Sequence, residues 1–397
     1  MVPSFQLPAS SAGRALTGAP ALCIVSHQAY GAMTGGRSGA IGGVEWQTSL
    51  LAKWFAARGW RVSMLTWDEG GPPEEVIDGV RVIKICRRDA GLPGLRFFHP
   101  KWTGLVRAMR AADADVYYQN CGECVTGQMA LWCRRSSRPF VFSAASDADC
   151  DPHLPELRTR RERVLYRYGL RQADRVIVQT LTQQRRMREC FGRDAVVIPM
   201  PCPGPGDGQF QLPSPQTERV LWIGRVRPVK RPDRFLDLAA ACPELQFDLV
   251  GPLFQDDCCQ MIQRRAVTLS NLTVHGPVPR DRLGAVYQRA AVLCCTSDYE
   301  GFPNTFLEAW SYGLPIVSTF DPDGLIASRQ LGVVVKDVAE MAQAIRALLS
   351  SPDRYRQMSE NARRYYLQNH TLEVVMPRFE ALFREVAAQV RERRAES

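Results

Sequence analysis

The chain has 397 residues, 45% apolar and 23% charged, the make-up of a globular protein with room for two cores. No apolar run reaches the roughly 18 residues of a spanning helix, which excludes an integral membrane protein. The net charge of +9 is nearly all arginine, since lysine stands only at Lys53, Lys84, Lys101, Lys230 and Lys336. Nucleic acid, an anionic membrane surface and a phosphate-bearing small molecule all remain open as partners on this ground.

Residues 1–20 carry Pro, Ser and Gly without a basic stretch leading into an apolar one, and read as a loose tail, not a signal peptide. The run Ala21–Ser26 is long enough for a buried strand. A glycine-rich loop follows, with Gly31, Gly35, Gly36, Gly39, Gly42 and Gly43. From about Val44 a helical pattern sets Trp46, Leu50, Leu51, Trp54 and Phe55 on one face; it stops at Gly59, and Arg61–Thr66 reads as the next strand. Strand, glycine loop, helix and strand make a βαβ unit. Short apolar runs recur at Val80–Ile85, Val116–Gln119, Phe140–Ser143 and Arg175–Gln179. Thirteen scattered cysteines hold a single CxxC, Cys121 and Cys124, with no second pair to complete a zinc site. They read as buried or half-buried free thiols, which suits the reducing cytosol.

The texture changes near residue 200. Pro201, Pro203, Gly204, Pro205, Gly206 and Gly208, then Pro213 and Pro215, predict an interdomain linker over 201–217. The βαβ rhythm then restarts. Strands are expected at Val220–Gly224, Gln246–Val250, Leu272–His275, Ala291–Thr296 and Pro315–Thr319, and helices at Pro232–Ala241, Asp257–Leu269, Arg280–Arg289 and up to Tyr312. The fold class is therefore α/β: two Rossmann-like, doubly wound domains, 21–200 and 218–370, with helical material over 371–397 that packs back toward the first domain. Ligands of such sheets bind at the carboxyl ends of the strands, so the expected site is a cleft between the halves.

Two constellations carry chemistry. In Gly224–Asp233, Arg225 follows a strand directly and Lys230 comes five residues later, before a helix opened by Pro232. Both cations would hang over the strand ends and offset the charge of a departing diphosphate. In Ser297–Ala309 a strand leaves through Gly301 and Pro303 into a helix starting near Asn304. Backbone N–H groups at a helix start suit a diphosphate, with Glu300 in the loop and Glu308 one turn into the helix.

With these residues in place, the sequence resembles glycosyltransferase family 4. The resemblance rests on Gly42-Gly43-Val44-Glu45, on the GR-x4-K of Arg225 and Lys230, and on the E-x7-E of Glu300 and Glu308 within EGFPNTFLEA. It covers most of the chain and is most specific over Val220–Val335. The resemblance implies a GT-B fold, a nucleoside-diphosphate-sugar donor, retention at the anomeric carbon and no obligatory metal. It also implies that Arg225 and Lys230 bind the donor diphosphate, that Glu308 holds the ribose and that Glu300 contacts the transferred sugar. Gly224 and the backbone of Gly301, Phe302, Pro303, Asn304 and Thr305 would line the donor pocket, with Gly42 and Gly43 approaching from the other domain. Family members are thought to use front-face attack, the leaving phosphate taking the acceptor proton, which leaves the protein positioning and electrostatic work.

One departure stands in the first half. Many relatives place a histidine after the strand matching Phe140–Ser143, where this chain has Ala144-Ala145-Ser146-Asp147-Ala148-Asp149. Asp147 or Asp149 could orient an acceptor hydroxyl, with a loop or cap role as the plainer reading. His27 is a further candidate at the end of the first strand. Asp-x-Asp recurs at Asp113 and at Asp321, so the pattern has no specificity here and no metal is expected. Residues 95–110 and 158–171 mix arginine with aromatics and suit an anionic membrane or a lipid-linked acceptor, with a solvated basic face as the alternative. No nucleic-acid-reading module accompanies them. The expectation is a cytoplasmic transferase, free or peripheral on the inner face of the membrane, that passes a sugar to a glycan or lipid-linked glycan in cell-surface or exopolysaccharide synthesis. The alternatives are a nucleotide-sugar epimerase and a non-catalytic binding scaffold of the same fold.

Overall fold

The computed structural model describes residues 19–36, 42–206, 208, 210–254 and 256–395. The tail expected over 1–20, apart from its last two residues, and Gly39 of the glycine loop lie outside them. The chain divides into two compact units, one of residues 1–198 with 376–397 and one of 199–375.

The first unit holds an eight-stranded sheet: β1 (Ala21–Val25), β2 (Arg61–Thr66), β3 (Glu74–Ile77), β4 (Val80–Lys84), β5 (Val116–Asn120), β6 (Phe140–Ser143), β7 (Arg175–Val178) and β8 (Val196–Val197), in the order β3-β4-β2-β1-β5-β6-β7-β8. In β1 every side chain is buried, because helices cover both faces and alternation with polar residues is not needed. Cys23 and Val25 join the cluster that includes Tyr117, Phe140, Phe142 and Tyr166, while Leu22 and Ile24 are equally enclosed. The helix Gly43–Ala57 returns the chain from β1 to β2 and stops ahead of Gly59, whose φ of +82° no L side chain adopts easily. The sequence pattern predicts a parallel sheet, and the observed one departs from it at one edge. The edge strand β3 pairs antiparallel with β4 through Asp78 and Gly79, both at positive φ, the requirement of a two-residue hairpin turn.

The second unit holds a six-stranded parallel sheet: β9 (Arg219–Ile223), β10 (Gln246–Val250), β11 (Leu272–Gly276), β12 (Val292–Cys295), β13 (Ile316–Ser318) and β14 (Gly332–Val334), in the order β11-β10-β9-β12-β13-β14. Its two faces feed two cores. Val220, Trp222, Val292 and Cys294 point into one with Phe235, Phe247 and Ile345. Leu221, Leu293 and Cys295 point into the other with Phe306, Trp310 and Tyr366.

The start of the stretch 201–217, expected as an interdomain linker, is packed into the second unit. Met200 and Cys202 are buried in the second core. The Tyr366 hydroxyl donates to the Cys202 carbonyl at 2.8 Å and accepts from the Gly204 N–H at 2.7 Å, and Cys202 N–H reaches the His370 carbonyl at 2.8 Å. With its backbone groups satisfied this way, an irregular segment can be buried. At the other end the division falls at 375/376, inside the helix Leu372–Ala395, not at 371. All thirteen cysteines are free; twelve are buried or half-buried as expected, and Cys190 is exposed.

Candidate active site

In the second unit the expected residues gather at the carboxyl ends of β9 and β12. After β9 the chain passes Gly224 and Arg225, makes a 3₁₀ turn at Pro228–Lys230, and enters the helix Pro232–Ala241. Gly224 is tightly packed: a Cβ on Gly251 would stand 1.8 Å from the Gly224 carbonyl oxygen, and Gly251 has φ +153°. The loop is then stitched to the end of β12. Asp298 N–H donates to the Val229 carbonyl at 2.9 Å, and the Thr296 hydroxyl donates to the Lys230 carbonyl at 2.8 Å. Trp222 Nε1 donates to Thr296 Oγ1 at 3.0 Å.

This framing carries Lys230 to Glu300. The ammonium is hydrogen-bonded to Glu300 Oε1, the same oxygen that receives the Ser297 hydroxyl at 2.6 Å. The Glu300 side chain is 12% exposed and that of Lys230 29%, so the pair is sheltered yet open on one side. Beside it Arg231 is bidentate on Asp233, at 3.0 and 2.7 Å, and also reaches Asp298. The hydrogen bonds from Arg231 hold the Asp233 carboxyl below its ordinary range. Arg225 lies half-buried next to Gly224.

The second glutamate has its own frame. The helix Asn304–Ser311 begins after Pro303, which occupies the cap position without a side-chain cap, so Asn304 is its first residue. Thr305 follows in the first turn, whose N–H groups point away from the helix. Glu308 receives the Tyr287 hydroxyl at 2.6 Å on one oxygen and the Arg280 guanidinium on the other. Burial, followed by the Glu308 charge, pushes the Tyr287 phenol far above its usual range, so it stays a donor. Gly301 is half-buried, and the Phe302 ring turns inward against Trp310 and His370, at centroid distances of 6.1 and 5.6 Å. Only the backbone of Phe302 is left to meet a ligand.

In the first unit Gly42 caps the helix that begins at Gly43, and its carbonyl accepts from Trp46 N–H at 3.0 Å. Asp147 opens a short 3₁₀ turn and binds Gln183 Nε2 at 3.0 Å and Arg186 at 3.4 Å. Asp149 is buried and accepts the N–H groups of Gly122, Ala145 and Ser146 at 3.0, 2.8 and 3.3 Å. Burial pushes its carboxyl up to about 6 against the pull of those bonds. It clamps the loops after β5 and β6. His27 stacks on Trp67 with centroids 4.1 Å apart, and its Nδ1 lies 3.3 Å from Glu123. Among the described residues no three His, Cys, Asp or Glu side chains gather as a metal site requires.

Comparison with known proteins gives these sites a context. Residues 42–202 match the family model described as Glycosyl transferase 4-like domain, and residues 209–365 match Glycosyl transferases group 1. A D-inositol 3-phosphate glycosyltransferase of Nocardiopsis dassonvillei is 27% identical over 323 residues, 71% of this chain and 74% of that protein. Sucrose-phosphate synthase from Thermosynechococcus elongatus superposes with a TM-score of 0.73 at 21% identity, covering 93% of this chain and 100% of its own. Anabaena HepE, solved with UDP and glucose, gives 0.69 at 16% identity over 91% and 98%. The chain is a glycosyltransferase of the GT-B fold.

The sequence motifs single out Lys230, Glu300 and Glu308 but not the groups that hold them. Arg280 and Tyr287 stand 28 and 21 residues before Glu308, in a helix legible only as apolar periodicity. Ser297 was inside the quoted motif, three residues before Glu300, and its hydroxyl was the available clue. Glu123 and Trp67 gave no signal, because they meet His27 from the segments that follow two other strands, β5 and β2.

Proposed function

We propose that this glycosyltransferase is a retaining enzyme of family 4. It transfers a sugar from a nucleoside diphosphate to a glycan or lipid-linked acceptor in cell-surface or exopolysaccharide assembly. The observation that carries the reading is the Lys230–Glu300 pair beside the start of the Asn304–Ser311 helix. A diphosphate there meets an ammonium, the Arg225 guanidinium and backbone N–H groups together, the charge arrangement a departing diphosphate needs. Glu300, held by Lys230 and Ser297, faces the transferred sugar. Glu308, fixed by Arg280 and Tyr287, takes the ribose hydroxyls. The backbone from Gly301 to Thr305 lines the phosphates, and Asp147 orients the acceptor. The proton of the attacking hydroxyl goes to the leaving phosphate, so no metal is invoked. HepE, with UDP and glucose bound, supports a nucleotide sugar as the donor class. No helix among the described residues is long and apolar enough to cross a membrane. A lipid-linked acceptor is met peripherally, at the inner face of a membrane, through 95–110 and 158–171.

The test is slow donor hydrolysis, followed by proton NMR in EDTA over a panel of uridine, guanosine and adenosine diphosphate sugars. Release of one sugar with its donor's anomeric configuration supports the reading. Release of the opposite anomer contradicts retention, and a panel left intact by wild type counts against the donor class.

A further inference from the structure

Every residue from Gly91 to Arg96 is exposed, and large apolar side chains crowd the same stretch: Leu92 is 70% exposed, Leu95 62% and Phe98 55%. Surface apolar residues normally stand singly; three within seven positions form a patch. The patch has a built base. Phe97, Phe98 and Trp102 pack on one another at centroid distances of 5.1, 5.6 and 6.2 Å. Beside them runs a groove of about 460 Å³ lined by Phe98, Trp102, Thr103, Val106, Arg107 and Arg110. A second groove of about 290 Å³ shares Trp102, Val106 and Arg110 and extends to Trp132.

The rim is basic. Arg161 lies 3.9 Å over the Phe97 ring, so the start of the helix Arg160–Gln172 borders the patch. Val164, three residues on and therefore on the same helix face, is 64% exposed. Arg96, Arg107 and Arg110 stand on one side and Arg158, Arg160 and Arg161 on the other, all exposed. Two of the nearby acids are engaged: Asp89 lies 3.6 Å from Arg87, and Glu162 accepts the Thr159 N–H at 2.8 Å. Arg107 donates to the Ile85 carbonyl at 3.2 Å, and Arg163 and Arg167 bind the Leu157 and Pro152 carbonyls, so the open cations are Arg96 and Arg110 on one side and those at the start of the helix on the other.

We propose that this face docks on an anionic lipid bilayer, with Leu92, Leu95 and Phe98 entering the acyl boundary and Arg96, Arg110, Arg158, Arg160 and Arg161 meeting headgroup phosphates. Exposed leucines distinguish it from a nucleic-acid surface, which would offer aromatics and cations without aliphatic tips. The inference deepens the reading of a lipid-linked acceptor and rests on it for its purpose, but its evidence is separate from the donor site.

The experiment is cosedimentation of the full chain with vesicles of phosphatidylcholine alone and with phosphatidylglycerol at about 3:1. The proteins are wild type, Leu95→Glu/Phe98→Glu, Arg158→Glu/Arg160→Glu, and Val267→Ser, which alters an apolar residue 85% exposed in the second unit. Wild type should bind the anionic vesicles about tenfold more tightly, each double variant should lose about tenfold, and Val267→Ser should match wild type. Unchanged melting temperatures confirm that the variants are folded. Equal binding to both vesicles, no binding, or apolar variants that bind like wild type would overturn the proposal. So would a concentration-dependent dimer lost in Leu95→Glu/Phe98→Glu without vesicle binding. If vesicles bind but no nucleoside diphosphate stabilises the protein, the donor reading falls and the docking surface stands.

Discussion

The Lys230 ammonium and the Ser297 hydroxyl converge on one oxygen of Glu300, so the two motifs of the second unit meet through a single carboxylate. Removing the cation should act on chemistry more than on folding. Lys230→Ala should lower kcat/KM for the donor by about 100-fold or more, the usual effect of deleting one transition-state charge partner. The pair is not fully enclosed, and the melting transition should fall by no more than about 1 kcal/mol equivalent. Steady-state rates and thermal unfolding on the same samples check both halves.

The Tyr287 hydroxyl fixes Glu308 at 2.6 Å. Tyr287→Phe keeps the ring stacked on Tyr312, whose centroid is 5.6 Å away, and removes only the hydroxyl. The expected cost in stability is about 1–2 kcal/mol. The sharper readout is discrimination between a ribonucleoside diphosphate and its 2′-deoxy analogue, which calorimetry should show falling in the variant. An equal loss for both ligands would assign Tyr287 to packing alone.

Gly251 allows the loops after β9 and β10 to touch. Gly251→Ala places a Cβ 1.8 Å from the Gly224 carbonyl oxygen at a φ of +153°. The expected penalty is about 2–3 kcal/mol, with weaker nucleotide binding as Gly224 and Arg225 shift. Urea unfolding with unchanged slope reads the first effect, and a nucleotide titration reads the second.

Asp149 should leave a mark on the pH dependence of stability. Burial raises its carboxyl from 3.8 to about 6 in the folded chain. Between those values the folded state holds a proton that the unfolded state has released, so stability falls as pH rises from about 4 to 6 and is level beyond. The loss is at most about 3 kcal/mol. Asp149→Asn lacks the titration, and the difference in unfolding free energy between wild type and variant should shift in wild type's disfavour over this window. A difference independent of pH would contradict the assignment.

The parallel strands were legible because strands covered on both faces are written as unbroken apolar runs, as in Ala21–Val25 and Val292–Cys295. The edge strand Glu74–Ile77 escaped notice because it is short and acidic, although the Asp78-Gly79 turn beside it is a hairpin signature. The Pro/Gly run after residue 200 looked unstructured because the partners of its backbone, Tyr366 and His370, lie over 160 residues away. Site motifs show where cations and carboxylates stand in the chain. They are silent on Arg280, Tyr287 and Glu123, whose roles come from tertiary convergence that no local spacing encodes.

The most direct measurement is a thermal-shift panel of nucleoside diphosphates and diphosphate sugars, in EDTA, on wild type and Lys230→Ala. The account predicts that one diphosphate and its sugars stabilise wild type and leave the variant unmoved. Equal stabilisation of both proteins, or none by any nucleotide, would contradict a donor site built on Lys230 and Glu300.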